Sequence, residues 1–181
     1  MLKRRTLIQA AFALVFIGGL AGFSAFAHWY KAWMDEFGPA WRAMDWPLAD
    51  DGAPPGRSWR NQGLEVHARV RRGHLADCSK GIGSDADVDR ATGIARFDAR
   101  FAPRAASAPI AVTDLDGRAR LYRRTGAAPA DAWAIAVTLE CDLVTFVVLG
   151  AVADPAVRKQ AHQFIESNAL QVWLNKILEE R

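Results

Sequence analysis

No His-Glu-x-x-His, Gly-x-Ser-x-Gly, glycine-rich phosphate loop or Cys-x-x-Cys-His occurs anywhere in the 181 residues. The signatures of zinc proteases, serine hydrolases, nucleotide-binding proteins and haem carriers are therefore all missing, and no cofactor is expected. Histidine is scarce at four residues, His28, His67, His74 and His162, and none pairs with another at ligand spacing on one element. Each reads as a surface histidine. Acidic runs are short, and the longest alternation, Asp85, Asp87 and Asp89, lacks what a calcium loop needs: Arg90 replaces the required Gly and Arg96 the closing Glu. These acids read instead as helix-start charges behind Ser84.

An excess of positive charge is also missing from most of the chain. Of 23 basic side chains, three are Lys3, Arg4 and Arg5, which leaves 20 against 20 acidic ones beyond them. The net charge therefore belongs to the extreme N-terminus, where a basic cluster before an apolar run marks the cytoplasmic side of a membrane segment. Nucleic acid is excluded as a partner on the same ground.

The apolar run from Leu7 to Ala27 contains Gln9 and small residues but no charge. At about 1.5 Å per residue it spans roughly 31 Å, enough to cross a hydrocarbon core. Ala25-Phe26-Ala27 has the form a signal peptidase accepts, so release by cleavage before His28 stands as an alternative to a retained anchor. The aromatic rings that follow, Trp29, Tyr30 and Trp33, favour the anchor, since amphipathic rings collect at headgroup level. Lys3-Arg4-Arg5-Thr6-Leu7-Ile8 resembles a twin-arginine export signal, although adjacent arginines also occur in ordinary basic leaders.

Tyr30, Met34, Phe37, Trp41 and Met44 recur at helical spacing, with His28, Lys31, Asp35 and Arg42 opposite. Gly38-Pro39 breaks the stripe, which predicts one helix from Thr6 to Phe37 and a short one from Pro39 to Asp45. Trp29, Tyr30, Trp33, Phe37 and Trp41 are the expected membrane-interface residues. A turn-rich stretch from Pro47 to Gly56 then closes the segment. Three parts follow: 1–27 as signal anchor, 28–56 as aromatic helix and linker, and 57–181 as a domain on the periplasmic side of the inner membrane.

Within that domain Leu64, Val66, Ala68 and Val70 alternate with Glu65, His67, Arg69 and Arg71, as in a strand with one buried and one wet face. Residues 93–101 fit helix and strand equally. Asp116-Gly117 between two alternating runs predicts a tight hairpin turn. Trp133, Ile135, Val137, Leu139 and Cys141 share a strand face, and Leu143–Leu149 is apolar on both faces apart from Thr145, as in a central strand. Asp154-Pro155 opens a C-terminal helix, and Ser167-Asn168 divides it from a second. The fold class is α+β: an N-terminal transmembrane helix, then a mostly antiparallel sheet with the C-terminal helices packed on one face.

Cys78 and Cys141 are the only cysteines. On the oxidising side of a membrane an even count points to a disulfide between them. Arg69 and Arg71 on one strand and Arg118 and Arg120 on another suggest an anionic-partner surface if those strands are neighbours; otherwise they are a solvated face balanced by Glu65, Asp114 and Asp116. The sequence thus predicts a non-catalytic accessory or assembly protein, tethered in the membrane and bound to an envelope protein or membrane complex. A soluble periplasmic enzyme released after Ala27 is the alternative.

Overall fold

The computed structural model describes residues 19, 22–29, 41–49, 52, 54, 56–73, 81–126 and 130–179. Residues 22–29 are helical. The rest of the expected anchor, including Tyr30, Trp33 and Phe37, lies outside the described residues. Among those described, no helix is long and apolar enough to cross a membrane.

The described residues form eight strands, β1 (Arg42–Met44), β2 (Arg57–Asn61), β3 (Leu64–Arg71), β4 (Phe101–Pro103), β5 (Ala108–Val112), β6 (Leu115–Arg124), β7 (Ala130–Leu139) and β8 (Asp142–Gly150). They pair antiparallel in the order β1-β2-β3-β8-β7-β6-β4, and β5 shares the outer side of β6 with β4. Beyond the helical residues 22–29, the described helices are α1 (Asp85–Thr92), α2 (Ile94–Phe97), α3 (Pro155–Ile165) and α4 (Asn168–Glu179). The fold is α+β with an antiparallel sheet and C-terminal helices, as the sequence predicts.

Two-residue turns join β2 to β3, β5 to β6 and β7 to β8, each opening on a left-handed residue: Gln62 (φ 44°), Thr113 (φ 55°) and Glu140 (φ 54°). Tight hairpins require this geometry. The predicted hairpin over 110–124 is present, but its turn is Thr113–Asp114, and Asp116 and Gly117 pair with Ala111 and Ile110 inside the ladder. Gly117 serves a different purpose: a Cβ there would collide with the carbonyl oxygen of Ala136 and with Val137 on β7. Cys141 likewise stands in the β7–β8 turn and not on the strand.

The segment expected as a short helix over Pro39–Asp45 holds strand β1 at Arg42–Met44, which pairs with Arg60–Ser58. Long-range pairing overrides the local helical period here. Trp41 stacks on Phe164 of α3 with centroids 4.0 Å apart, so its ring belongs to the packing of the domain.

Strand β7 alternates large and small side chains, and this sets the two faces of the sheet. Trp133, Ile135 and Val137 join Val144, Phe146 and Val148 of β8 beneath α3 and α4, which contribute Ala161, Phe164, Ile165, Leu170 and Leu174. Asp154 caps α3 by accepting from the Ala156 N–H, with Pro155 following at the first position. On the other face Ala132, Ala134 and Ala136 form a row of small residues. They admit α1 and α2 close to the sheet, where Val88, Ala91 and Ile94 pack. Helices thus cover both faces, and the alternation in β3 does not separate a dry face from a wet one. Gly93, left-handed at φ 57°, ends α1 and starts α2, which resolves the helix-or-strand ambiguity of 93–101 as helix to Phe97 and strand from Phe101.

Candidate functional site

Helices α1 and α2 pack over the β6–β7–β8 part of their face, and Trp46 and Pro54 meet His67 and Arg69 of β3 beside them. A cavity lies at the seam. Its floor is His67, Arg69 and Arg71 of β3 with Thr145 and Val147 of β8; Thr92, Arg96 and Phe97 form one side, and Trp46 and Leu48 the other. The space admits about one water-sized body, so an extended organic substrate does not fit.

His67 is 1% exposed, with the rings of Phe97 and Trp46 at centroid distances of 5.0 and 6.2 Å. Its Nδ1 lies 2.8 Å from the Ser58 hydroxyl oxygen on β2, and Ser58 is fully buried. Its Nε2 is 3.4 Å from Glu65 Oε2 and has no hydrogen-bond partner. Glu65 in turn accepts from Arg60 at 2.6 Å. Burial holds the imidazole down to about 4, outweighing the Glu65 carboxylate, which pulls it upward. The ring is therefore neutral near pH 7. A carboxylate beside Nε2 favours the tautomer with its proton there, so the Ser58 hydroxyl donates to Nδ1.

Serine, histidine and glutamate in mutual contact resemble a nucleophilic triad in composition only. The serine touches the ring nitrogen without the proton, as a nucleophile must, but its hydroxyl is sealed from solvent. The chain of contacts on the β2–β3 hairpin runs from the exposed Arg60 guanidinium through Glu65 to the buried His67 and Ser58.

The four arginines singled out by the sequence do not form one outward surface. All point to the same face, but β8 and β7 separate β3 from β6: Arg69 aligns with Thr145, Ala136 and then Arg118. Three strand spacings place the two pairs about 14 Å apart. Arg69 is 4% exposed, donates from Nε to the Pro54 carbonyl at 2.9 Å, and lies over the Trp46 ring. Arg71 lines the same cavity.

On β6, Arg118 donates to the hydroxyl and carbonyl oxygens of Ser107 at 2.7 and 2.8 Å. Arg120 donates to both Asp89 oxygens at 3.0 and 2.8 Å and reaches Asp85 at 3.1 Å. The Tyr122 hydroxyl also donates to Asp89, and burial together with that bond pushes its pKa upward. Hydrogen bonds from the Ser107 hydroxyl and amide hold the Asp85 carboxyl below its usual range. Asp87 closes a capping box with Ser84. The Asp85, Asp87 and Asp89 alternation thus caps α1 and clamps it to β6.

His67 is not the surface histidine that the sequence predicts: the structure buries it. Its position in the alternation of β3, together with the alanine row of β7, was the available signal: a second covered face buries the side chains that share it. His162 is partly exposed on α3, 3.0 Å from the Ala111 carbonyl, and His74 lies outside the described residues, as does Cys78. Cys141 is not a free thiol. Comparison of the sequence with protein-family models and with curated proteins finds no match.

Proposed function

We propose that this protein is an accessory or assembly protein of the bacterial envelope, anchored in the inner membrane by its N-terminal segment, with the α+β domain on the periplasmic side. The observation that carries the proposal is the helix over residues 22–29. Phe23, Phe26 and Trp29 are 70, 57 and 62% exposed there, and Val172 is the only other large apolar side chain so exposed among the described residues. Three-residue spacing places them on one side of the helix, and a contiguous apolar surface of this kind marks a contact with lipid or protein. Lipid is the occupant favoured by the uncharged run from Leu7 to Ala27 and the basic residues before it.

Two further observations support the compartment and the role. Cys141 is not free, and its pairing with Cys78 in an oxidising space accounts for both cysteines of the chain. Ser58, which touches the His67 ring, is sealed from solvent, which counts against a nucleophilic role for that serine. The partner is an envelope protein or membrane complex. Isolation of the native protein in mild detergent tests this: the intact chain should remain in the membrane fraction with specific companions. A freely soluble chain beginning at His28 would support the released periplasmic enzyme instead.

A further inference from the structure

We propose that the outer edge of β1 takes up an extended acidic segment of a second polypeptide as an additional strand of the sheet. The strand order begins at β1, and among the described residues no strand pairs with its outer side. An edge strand presents backbone N–H and C=O groups to any extended chain that approaches it. The opposite margin of the sheet is guarded against such pairing. Pro103 in β4 and Pro109 in β5 each remove a backbone donor. Residues of α3 and its C-terminal cap reach the end of β5, where His162 Nε2 stands 3.0 Å from the Ala111 carbonyl oxygen and the Thr113 N–H donates to Glu166 at 3.3 Å. Strand β1 reads Arg-Ala-Met and contains no proline. Among the described residues, it is the margin without a block.

Charge says what the added strand carries. Arg42 is the cross-strand partner of Arg60, so the two side chains leave the same face of the sheet as neighbours, and like charges directly opposite each other repel. Glu65, next across on β3, answers the second of them: it accepts from Arg60 Nε at 3.0 Å and from Nη2 at 2.6 Å. Arg42 is exposed, and among the described residues its side chain has neither an ion pair nor a hydrogen bond. A glutamate or aspartate on a strand outside β1, opposite Arg42, completes the row as acid, Arg42, Arg60 and Glu65. Met44 lies on the same face two positions further and is half-buried, so an apolar side chain two residues from the acid packs against it. The motif that fits is therefore an acid and an apolar residue at alternate positions of an extended chain. An edge charge also serves in some sheets to repel strands, and the experiment separates the two roles.

This edge is a surface apart from the helix over residues 22–29, and peptide binding tests it without reference to the membrane role. The full chain in detergent micelles, labelled with nitrogen-15, is titrated with a peptide of alternating threonine and valine in which one central valine is replaced by glutamate. The expected result is a saturable shift of the amides of Arg42–Met44 and of their partners Ser58, Trp59 and Arg60. Arg42 is exposed, so its substitutions leave the fold intact. Affinity should fall about threefold in Arg42→Gln, as for the loss of one cross-strand charge pair, and Arg42→Glu should prefer the same peptide with lysine in place of glutamate. A peptide N-methylated along its backbone should not bind, because it cannot extend the ladder. Absence of a saturable shift overturns the proposal, as does equal affinity of the native chain for the glutamate and lysine peptides, or undiminished binding of the N-methylated one. Tighter binding in Arg42→Gln overturns it too, since Arg42 would then be a guard against strand addition.

Discussion

The Ser58 hydroxyl oxygen and His67 Nδ1 lie 2.8 Å apart across the β2–β3 pair, with neither side chain open to solvent. The folded protein keeps this imidazole neutral because burial lowers its pKa from 6.5 to about 4. Between those values the unfolded chain binds more protons than the native one, so stability rises with pH across that window. The His67 contribution is complete above about pH 6.5, falls as the pH drops, and levels off below about 4; the shift corresponds to roughly 3 kcal/mol. Urea denaturation between pH 4 and 7 should show this slope, and His67→Gln should flatten it. The same slope in the variant would assign the pH dependence to other groups.

Arg120 and Asp89 join β6 to α1 through two hydrogen bonds, with Tyr122 as a third partner. Arg120→Met should cost about 1–2 kcal/mol, since the guanidinium is largely buried while the Asp89 and Asp85 carboxylates stay partly open to water. Asp89→Asn should cost a similar amount, and the double variant should fall short of the sum because the two residues share one network. Additive losses in a double-mutant cycle would mean that the clamp does not act as a unit.

Gly117 has no room for a methyl group against β7. Gly117→Ala should destabilise by roughly 1–3 kcal/mol through overpacking. Asp116→Ala, at an exposed ladder position, should change stability by less than about 0.5 kcal/mol. Thermal unfolding of the two variants separates a packing requirement at residue 117 from a turn at 116–117; comparable losses would favour the turn.

The proposed Cys78–Cys141 bond closes a long loop. In the chain-entropy model such a link stabilises by about 4 kcal/mol. Intact mass under non-reducing conditions should be lower by two hydrogens than after reduction, and Cys141→Ser should lower the melting temperature as much as reduction does. A single unchanged mass in both conditions would remove the bond.

Much of the domain was legible because its signals are local. The cap at Asp154-Pro155, the break at Ser167-Asn168 and the strands at β3 and β7 each depend on neighbouring residues, and the structure has them, although both faces of β3 are buried. What was not legible depends on distant partners. Three residues of β1 are too few to display alternation, and only their pairing with β2 makes them a strand. Gly117 looked like a turn residue because its purpose, close approach to Ala136, involves a strand some twenty residues away. Arg69 and Arg118 looked like possible neighbours until the strand order put β8 and β7 between them. The burial of His67 likewise depends on a distant partner, since Phe97 of α2 packs on a face that the β3 pattern alone presents as wet.

The account depends most on the placement of the domain outside the cytoplasm, and an alkaline phosphatase fusion after residue 181 measures that directly. An enzymatically active fusion that sediments with membranes is the expected result. An inactive fusion, alongside a fluorescent or galactosidase reporter active at the same position, would put the domain in the cytoplasm and remove the anchor's proposed orientation together with the role built on it.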